Sequence, residues 1–283
     1  MSSSEEEWDL IIEPNSKTFD LQLGNIWRYR DLIFLLIRRD FVAFYKQTVL
    51  GPIWFFVQPI TTTVTYSVIF GNLAGLGTDG VPAPLFYLAG IISWNYFSDC
   101  LLKTSTVFRD NSNLFGKVYF PRLILPISIV ISNLIRFAVQ ILLFILMLIF
   151  YYFKTGHVLF SVDIIFYPLL IVLMAAQGLG FGLLVTAFTT KYRDLVMLLS
   201  FAIQLFMYST TVVYPLSTLK GNLHTIVSLN PMTPIIEGSR RFLLGHGEIS
   251  FFSLSYAFIF TFIILFIGLI TFNRSQKNFV DTI

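Results

Sequence analysis

Charge is scarce in this sequence. Only 12% of its 283 residues are Asp, Glu, Lys or Arg, whereas 55% are hydrophobic. A typical soluble domain carries about 25% charged residues, so a water-exposed globule of this size is excluded, and with it a soluble enzyme. The charge is also uneven, because 14 of the 35 charged residues lie in the first 50 positions. The remaining apolar runs are long and continuous, unlike the alternating strands of a membrane β-barrel, so the composition predicts an all-α polytopic membrane protein.

Cysteine and catalytic motifs are also missing. Cys100 is the single cysteine, which excludes an intramolecular disulfide and a multi-cysteine metal site. The three histidines are far apart, and neither HExxH nor GxSxG occurs. Gly116-Lys117 lacks the earlier glycine and the following Ser or Thr of a phosphate-binding loop. We therefore predict a chain that is not an enzyme and holds no metal or cofactor. Its energy would come from a partner, an ion gradient or the substrate's own gradient.

Six apolar segments reach the roughly 20 residues that a helix needs to cross a bilayer. They lie at about 53–73, 84–104, 124–152, 164–188, 195–215 and 251–272. We predict a six-span transmembrane domain over 51–273. A polar cytoplasmic segment, 1–23, precedes it, and a cytoplasmic tail, 274–283, follows it.

The basic residues indicate which way the chain is oriented. Fourteen Lys and Arg residues fall on one side of the predicted spans, in the N-terminal segment, two loops and the tail, and four fall on the other side. Because cytoplasmic loops carry the excess of Lys and Arg, both termini are predicted to be cytoplasmic. The first residues, Ser2 to Asp9, are polar and acidic, unlike a cleavable signal peptide.

Two segments do not fit a plain bundle. Residues 24–50 mix aromatic and aliphatic residues with Arg and Asp, which is typical of an amphipathic helix lying along the membrane surface. A packed juxtamembrane helix without a lipid role is the alternative. Residues 216–250 hold apolar stretches too short to span, broken at Asn230-Pro231 and Pro234. They predict two short helices that enter the membrane from outside and turn back, with a surface loop as the alternative.

Few charged side chains lie inside the predicted spans, where they are costly and usually functional. Arg136 is the clearest case, and Asp99 is its candidate partner if the second span continues as a helix. A structural ion pair is an equally good interpretation. Gly178 and Gly182 form a small-xxx-small pair, which allows close helix packing.

Four blocks of sequence resemble one transporter family. The first block runs from Trp27-Arg28 through Arg39-Asp40 and Tyr45–Trp54 to Gln58-Pro59. The others are Asn113–Pro126, Tyr192–Leu195 and Asn230–Arg240. In this order and spacing they resemble the permeases of type-2 ABC exporters of polysaccharides, most closely those of O-antigen and lipopolysaccharide export. Phe44 departs from the family pattern, where many members carry Arg before the tyrosine.

The resemblance implies a set of partners and a location. It implies a homodimer of six-span subunits in the bacterial inner membrane, bound to two ATP-binding cassette subunits that hold the ATP and Mg. The substrate would be a lipid-linked polysaccharide such as O-antigen, in contact with membrane lipids, and no nucleic acid is implied. Teichoic-acid and capsular-polysaccharide exporters share the same motifs and remain alternatives.

The resemblance also implies roles for individual residues. Coupling to the ATPases would use segments 105–122 and 189–195, through Lys117, Tyr119, Pro121, Arg122, Lys191, Arg193 and Asp194. The substrate would enter beside Arg38, Arg39, Asp40, Tyr45 and Lys46. Apart from the resemblance, aromatic rings that can pack on sugars and polar groups within the spans predict the lining of the channel: Trp54, Phe55, Tyr66, Phe70, Asp99, Arg136 and Gln204. The outer gate would be formed by Asn230, Pro231, Pro234, Glu237 and Arg240.

Two other classes of protein compete with this hypothesis. An ion-coupled carrier would show inverted repeats and acidic relays near the membrane midplane, where only Asp99 qualifies. A membrane-embedded lipid- or glycan-modifying enzyme would need clustered acidic or histidine residues, which the sequence lacks. Positive charges at cytoplasmic helix ends can also serve topology alone.

Overall fold

The computed structural model describes residues 27–46, 48–115, 120–156, 161–189, 191–192 and 194–279, without the side chains of 44, 45, 115 and 276–279. All regular elements in these ranges are helical. The α-helices, in chain order, are α1 (Arg30–Lys46), α2 (Trp54–Tyr66), α3 (Ala83–Ser105), α4 (Val107–Asp110), α5 (Ser112–Phe115), α6 (Ile124–Thr155), α7 (Tyr167–Thr189), α8 (Leu195–Tyr208), α9 (Asn222–Ser228), α10 (Thr233–Leu244) and α11 (Phe251–Phe279). The predicted segment 1–23 lies outside the described residues, as does the end of the tail.

Five helical stretches are long and apolar enough to cross a membrane. They are Gly51–Leu73, Ala83–Ser105, Ile124–Thr155, Val162–Thr189 and Phe251–Ser275. The first combines a 3₁₀ turn, α2 and a π-helical turn, Ser67–Leu73. These stretches agree closely with five of the six predicted spans.

The remaining predicted span, 195–215, differs from the prediction. Its helix, α8, has 14 residues and ends at Tyr208, so at 1.5 Å per residue it is about 21 Å long. Beyond it, the Ser209 and Thr210 hydroxyls donate to the carbonyls of Phe206 and Met207. Hydroxyl side chains that bond to the backbone in this way compete with helix continuation. Residues 209–214 form turns, and the six-span count stays a prediction.

Helix α3 is the centre of the bundle, because it is buried along nearly its whole length. It packs against α7, α6, α2 and α10. The contact with α7 depends on two glycines, as predicted. A Cβ at Gly178 would lie 2.7 Å from Cys100 Cβ, and one at Gly182 would lie 2.5 Å from Thr104 Cβ. Only a residue without a side chain permits helices to approach so closely.

The segment predicted as a surface helix is helical as α1. Its buried Leu36 packs in a cluster with the apolar ends of other helices, among them Phe108, Ile124 and Phe272. Helix α1 therefore closes one end of the bundle, which we call the cytoplasmic end, following the predicted orientation. Its contact with lipid remains a prediction.

The two short helices predicted in 216–250 are α9 and α10. A turn over residues 229–232 separates them, and Pro234 lies in the first turn of α10, where proline is tolerated. Helix α10 is almost fully buried against α3, α7 and the 3₁₀ turn Val162–Phe166. The helix pair is confirmed, and its entry into the membrane stays a prediction. We call this end of the bundle the outer end.

Candidate functional site

A polar cavity of about 490 Å³ lies at the cytoplasmic end, between α1, α2, α3 and α6. Three of its lining side chains are basic, two are acidic, and the remainder are amide, hydroxyl and apolar groups. The lining residues are Arg39, Asp40, Phe41, Ala43, Phe55, Lys103, Asp110, Asn111, Ile129, Ser132, Asn133 and Arg136. The cavity therefore combines groups from the amphipathic helix with groups from three predicted spans.

Arg136 and Asp99 form an ion pair beside this cavity. Arg136 Nη1 lies 3.7 Å from Asp99 Oδ2, and the two side chains are 23% and 40% exposed. The guanidinium also lies 5.5 Å from the centre of the Phe55 ring, at a cation–π distance. The predicted pairing is confirmed because α3 continues as a helix past Asp99 to Ser105. The pair is open enough for a ligand to reach it.

Lys103 is the basic residue of this cavity that was not predicted as a site residue from the sequence. Its ammonium group donates to Asn133 Oδ1 at 2.8 Å, and Asn133 is only 1% exposed. Lys103 follows Asp99 by one helical turn, and Asn133 precedes Arg136 by one turn, so each pair shares a helix face. That spacing is a signal that could have identified Lys103, whereas its position near the end of a predicted span indicates only a basic residue of a cytoplasmic loop.

Helix α1 contributes two of its predicted residues to the cavity. The Arg39 guanidinium donates to Asp40 Oδ1 at 2.8 and 2.9 Å and to Asn111 Oδ1 at 3.1 Å. This joins the amphipathic helix to the turn that links α4 and α5. Arg38 and Lys46 are exposed and do not line the cavity, and the Tyr45 side chain lies outside the described part of the chain.

The predicted channel-lining residues divide into two groups. Phe55, Asp99 and Arg136 meet at the cavity, as described above. Tyr66 instead packs edge-on against Phe70 and Tyr87, with ring centres 5.3 and 6.2 Å apart, and its hydroxyl donates to Met207 Sδ of α8 at 3.8 Å. Trp54 and Gln204 are exposed on α2 and α8. Their role in a channel stays a prediction.

The predicted coupling residues lie at or near helix ends at the cytoplasmic end of the bundle. Pro121 and Arg122 precede α6, and Asp194 immediately precedes α8. Lys191 and Asp194 are exposed, and the Lys191 ammonium lies 5.3 Å from the centre of the Tyr192 ring. Lys117, Tyr119 and Arg193 lie outside the described residues.

A second group of charged residues is buried at the outer end. Arg240 Nη1 donates to Glu237 Oε1 at 3.1 Å, and the side chains are 2% and 1% exposed. Arg240 Nη2 donates to the Val212 carbonyl at 2.9 Å, and the guanidinium lies 3.5 Å from the centre of the Phe86 ring. Glu237 Oε2 accepts from the backbone amide of Glu248. One ion pair thus joins α10 to α3 and to the two flanking loops.

Burial lowers the pKa of Arg240 to about 10, and the Glu237 carboxylate acts against that shift. The guanidinium therefore remains charged at neutral pH, and its charge is neutralised inside the subunit. In this conformation Glu237 and Arg240 face each other and do not line an opening, so their predicted role in an outer gate stays a prediction.

The turn between α9 and α10 is fixed from two sides. The Asn230 amide group donates to the Ser209 carbonyl at 3.2 Å, and its Oδ1 accepts from the Met232 amide at 3.0 Å. Gln177 Nε2 of α7 lies 3.4 Å from the Pro231 carbonyl. Since Ser209 follows α8, the predicted gate residues Asn230 and Pro231 connect the ends of α8 and α10 to α7.

Comparison with known proteins identifies the family. The model of the ABC-2 type transporter family matches residues 31–244, which include all but the first residue of α1, all the residues of the polar cavity and the ion pair of α10. The chain belongs to this family. As an ABC-2 membrane protein it is a transport component, and membership of this family implies an ATP-binding partner.

Several curated proteins are similar to this ABC-2 chain over most of their own length. The O-antigen export system permease protein RfbA of Myxococcus xanthus is 26% identical over 225 residues, covering 78% of this chain and 83% of that protein. An RfbA of Klebsiella pneumoniae is 24% identical over 252 residues, covering 89% and 94%. The polysialic acid transport protein KpsM of Escherichia coli is 26% identical over 251 residues, covering 86% and 92%.

Proposed function

We propose that this ABC-2 membrane protein forms the path through which a lipid-linked, O-antigen-like polysaccharide is exported across the bacterial inner membrane. ATP hydrolysis in a separate subunit would drive the transport. The observation that carries the proposal is the polar cavity at the cytoplasmic end, which belongs to a chain of the ABC-2 family. The names of the relatives, which refer to O-antigen export, support the class of substrate.

The cavity has the chemistry to receive the phosphate-bearing head of a lipid-linked glycan. Lys103 and Arg136 project from α3 and α6, and Arg39 reaches the same space from α1. Ammonium and guanidinium groups bind phosphate oxygens by charge-assisted hydrogen bonds. The Phe55 and Phe41 rings, 6.4 Å apart, supply an apolar surface beside these cations. A lipid head that lies at the membrane surface would therefore bind these basic side chains before the glycan enters the path.

The remaining parts of the mechanism follow the family resemblance. The segments 105–122 and 189–195 would contact two ATP-binding cassette subunits, and ATP-driven closure of those subunits would move α3 and α7. Exposed apolar side chains on α2 and α8, such as Val64, Leu198 and Phe201, offer a surface for a second copy of the chain. The α9–α10 pair would close the path at the outer end.

A second candidate substrate is an acidic polysaccharide. One of the relatives is a polysialic acid transport protein, and its similarity covers nearly the same part of the chain. The mechanism would be the same, because a cavity that binds the lipid head does not read the sugars that follow. An ion-coupled carrier has less support, because Asp99, the acidic group it would need, is paired with Arg136.

Substitution of Lys103 tests the proposal. In vesicles containing the chain and its ATPase partner, Lys103→Gln removes the cation but keeps a donor for Asn133. We expect ATP-dependent export of the lipid-linked glycan to fall by a factor of at least about 10, the value of one charge-assisted hydrogen bond.

The matched control is Lys154→Gln, which removes an exposed cation from the opposite end of α6. It should leave export unchanged. Unchanged export by Lys103→Gln would contradict the role of the cavity. A shorter lipid-linked glycan that is exported equally well would support recognition of the head, because only the head is common to both substrates.

A further inference from the structure

The end of helix α3 carries backbone carbonyls that its own helix does not satisfy. The last four carbonyls of an α-helix have no intrahelical partner, and α3 ends at Ser105 before a kink at Thr106. Thr104 and Ser105 are fully buried, so water does not reach them. The backbone amide of Thr106 donates to the Thr104 carbonyl, so it is the Ser105 carbonyl in particular that needs a partner from another element.

Helix α7 supplies partners for both carbonyls. Thr189 Oγ1 donates to the Ser105 carbonyl at 2.5 Å, and Thr186 Oγ1 donates to the Thr104 carbonyl at 2.8 Å. Thr186 shares its hydroxyl with the Gly182 carbonyl of its own helix at 2.7 Å. For Thr189 the contact with α3 is the shortest of its three, the others being 3.2 and 3.3 Å. Because the Thr104 carbonyl also accepts from the Thr106 amide, the bond from Thr189 to the Ser105 carbonyl is the one whose loss is expected to matter more.

These bonds lie where two predicted coupling segments begin. Segment 105–122 starts at Ser105, and segment 189–195 starts at Thr189. The Thr106 hydroxyl donates to Asp110 Oδ2 at 2.6 Å and holds α4 close to the same point. The glycine at 182 allows the approach, because a Cβ there would meet the Thr104 side chain.

We propose that Thr186 and Thr189 are positioning residues that make the two cytoplasmic segments move as one unit. The inference rests on the proposed coupling role of these segments. A push from an ATPase subunit on either segment would then displace α3 and α7 together. Because α3 also contacts Arg240 through Phe86, the displacement would reach the outer end through a single buried helix.

The experiment uses the full transporter, reconstituted with its ATPase partner in vesicles. Thr189→Val and Thr186→Val remove the hydroxyl and keep the branched shape, and Thr189→Ser restores the hydroxyl. The control is Thr271→Val, because Thr271 donates only to the Ile267 carbonyl of its own helix. Two quantities are measured: the amount of glycan exported per ATP hydrolysed, and the distance between spin labels at Ser112→Cys and Lys191→Cys. Both label sites are exposed, and the native Cys100 is fully buried.

We expect Thr189→Val to lower export per ATP by roughly fivefold, the equilibrium factor of one net hydrogen bond. Its spin-label distances should broaden, and nucleotide should no longer shift them. Thr186→Val should show a smaller change, and Thr189→Ser and Thr271→Val should behave as the unsubstituted chain. A Thr189→Val chain with normal export per ATP and an unchanged distance distribution would overturn the inference.

A separate result distinguishes failure of the coupling role itself. Cysteine crosslinking from Ser112 and Lys191 to the ATPase subunit tests whether the segments touch that partner. If neither position crosslinks, the proposed coupling role is wrong, and the inference about transmission falls with it even if the spin-label distances respond to Thr189→Val. If both crosslink and the distances do not respond, the coupling role stands and the link through Thr189 is wrong.

Discussion

Two arginine–carboxylate pairs occupy opposite ends of the same bundle in very different environments. At the cytoplasmic end, Arg136 and Asp99 are 3.7 Å apart with side chains 23% and 40% exposed. At the outer end, Arg240 and Glu237 are 3.1 Å apart and 2% and 1% exposed. A pair that is open to solvent contributes little to stability, whereas a buried pair is costly to break. The two ion pairs therefore differ in burial, and the outer pair is the one whose disruption is expected to destabilise the fold.

Helix α3 connects the two pairs. Asp99 and Lys103 lie near its cytoplasmic end, and Phe86 and Gly90 lie near its outer end, where a Cβ on Gly90 would come within 3.0 Å of Arg240. Arg136 lines a cavity of about 490 Å³, whereas the Arg240 guanidinium is packed tightly between Phe86 and Gly90.

The largest effect is expected from Arg240→Met, which leaves the Glu237 carboxylate buried without its cation. The free energy of unfolding in detergent should fall by about 3–5 kcal/mol, measured by tryptophan fluorescence. The control is Arg241→Met, which removes a neighbouring arginine with a 46% exposed side chain, and it should change stability by less than about 1 kcal/mol. Equal effects of the two substitutions would remove the contrast between the ends.

A smaller effect is expected from Phe86→Leu, which removes the ring beneath the Arg240 guanidinium. A desolvated cation–π contact is worth about 2 kcal/mol. The matched variant Phe97→Leu makes the same change in volume at a fully buried ring without such a cation contact among those described. Phe86→Leu should therefore cost more than Phe97→Leu, by about 1–2 kcal/mol in the same unfolding measurement. If the order were reversed, packing alone would govern this region.

The smallest effect on stability is expected at the cavity. A double-mutant cycle of Asp99→Asn and Arg136→Gln should give a coupling energy of at most about 1 kcal/mol, because both side chains are partly exposed. The equivalent cycle of Glu237→Gln and Arg240→Met should give a clearly larger value. A coupling energy at Asp99 and Arg136 as large as that of the buried pair would show that they form a structural pair and would argue against the cavity as a binding site.

Most of the long helices can be predicted from the composition and hydropathy of the sequence, whereas the role of each charged side chain cannot. Continuous apolar runs are sufficient to place five helices, and single charges within them predicted the meeting of Asp99 and Arg136. The end of α8 differs from the predicted span, because the apolar run continues past Tyr208 whereas the helix ends there. Hydropathy alone does not give the boundary at this position.

Arg240 and Lys103 show the limit of reasoning from sequence. Sequence alone predicts Lys103 as a basic residue of a cytoplasmic loop and Arg240 as a residue of the outer gate. Arg240 is fully buried because a carbonyl at Val212 and a ring at Phe86 come from distant parts of the chain. Lys103 is held by Asn133, 30 residues further on in the sequence. Such partners are set by tertiary packing, which no local pattern specifies.

The proposed function depends on one source of energy, which is ATP hydrolysis by the partner subunit. The decisive measurement is uptake of a lipid-linked glycan into inside-out vesicles that contain this chain with or without its ATP-binding partner. We predict uptake only when both subunits and hydrolysable ATP are present, with no response to an imposed proton gradient. Accumulation by this chain alone, driven by a proton gradient, would contradict the account and favour an ion-coupled carrier.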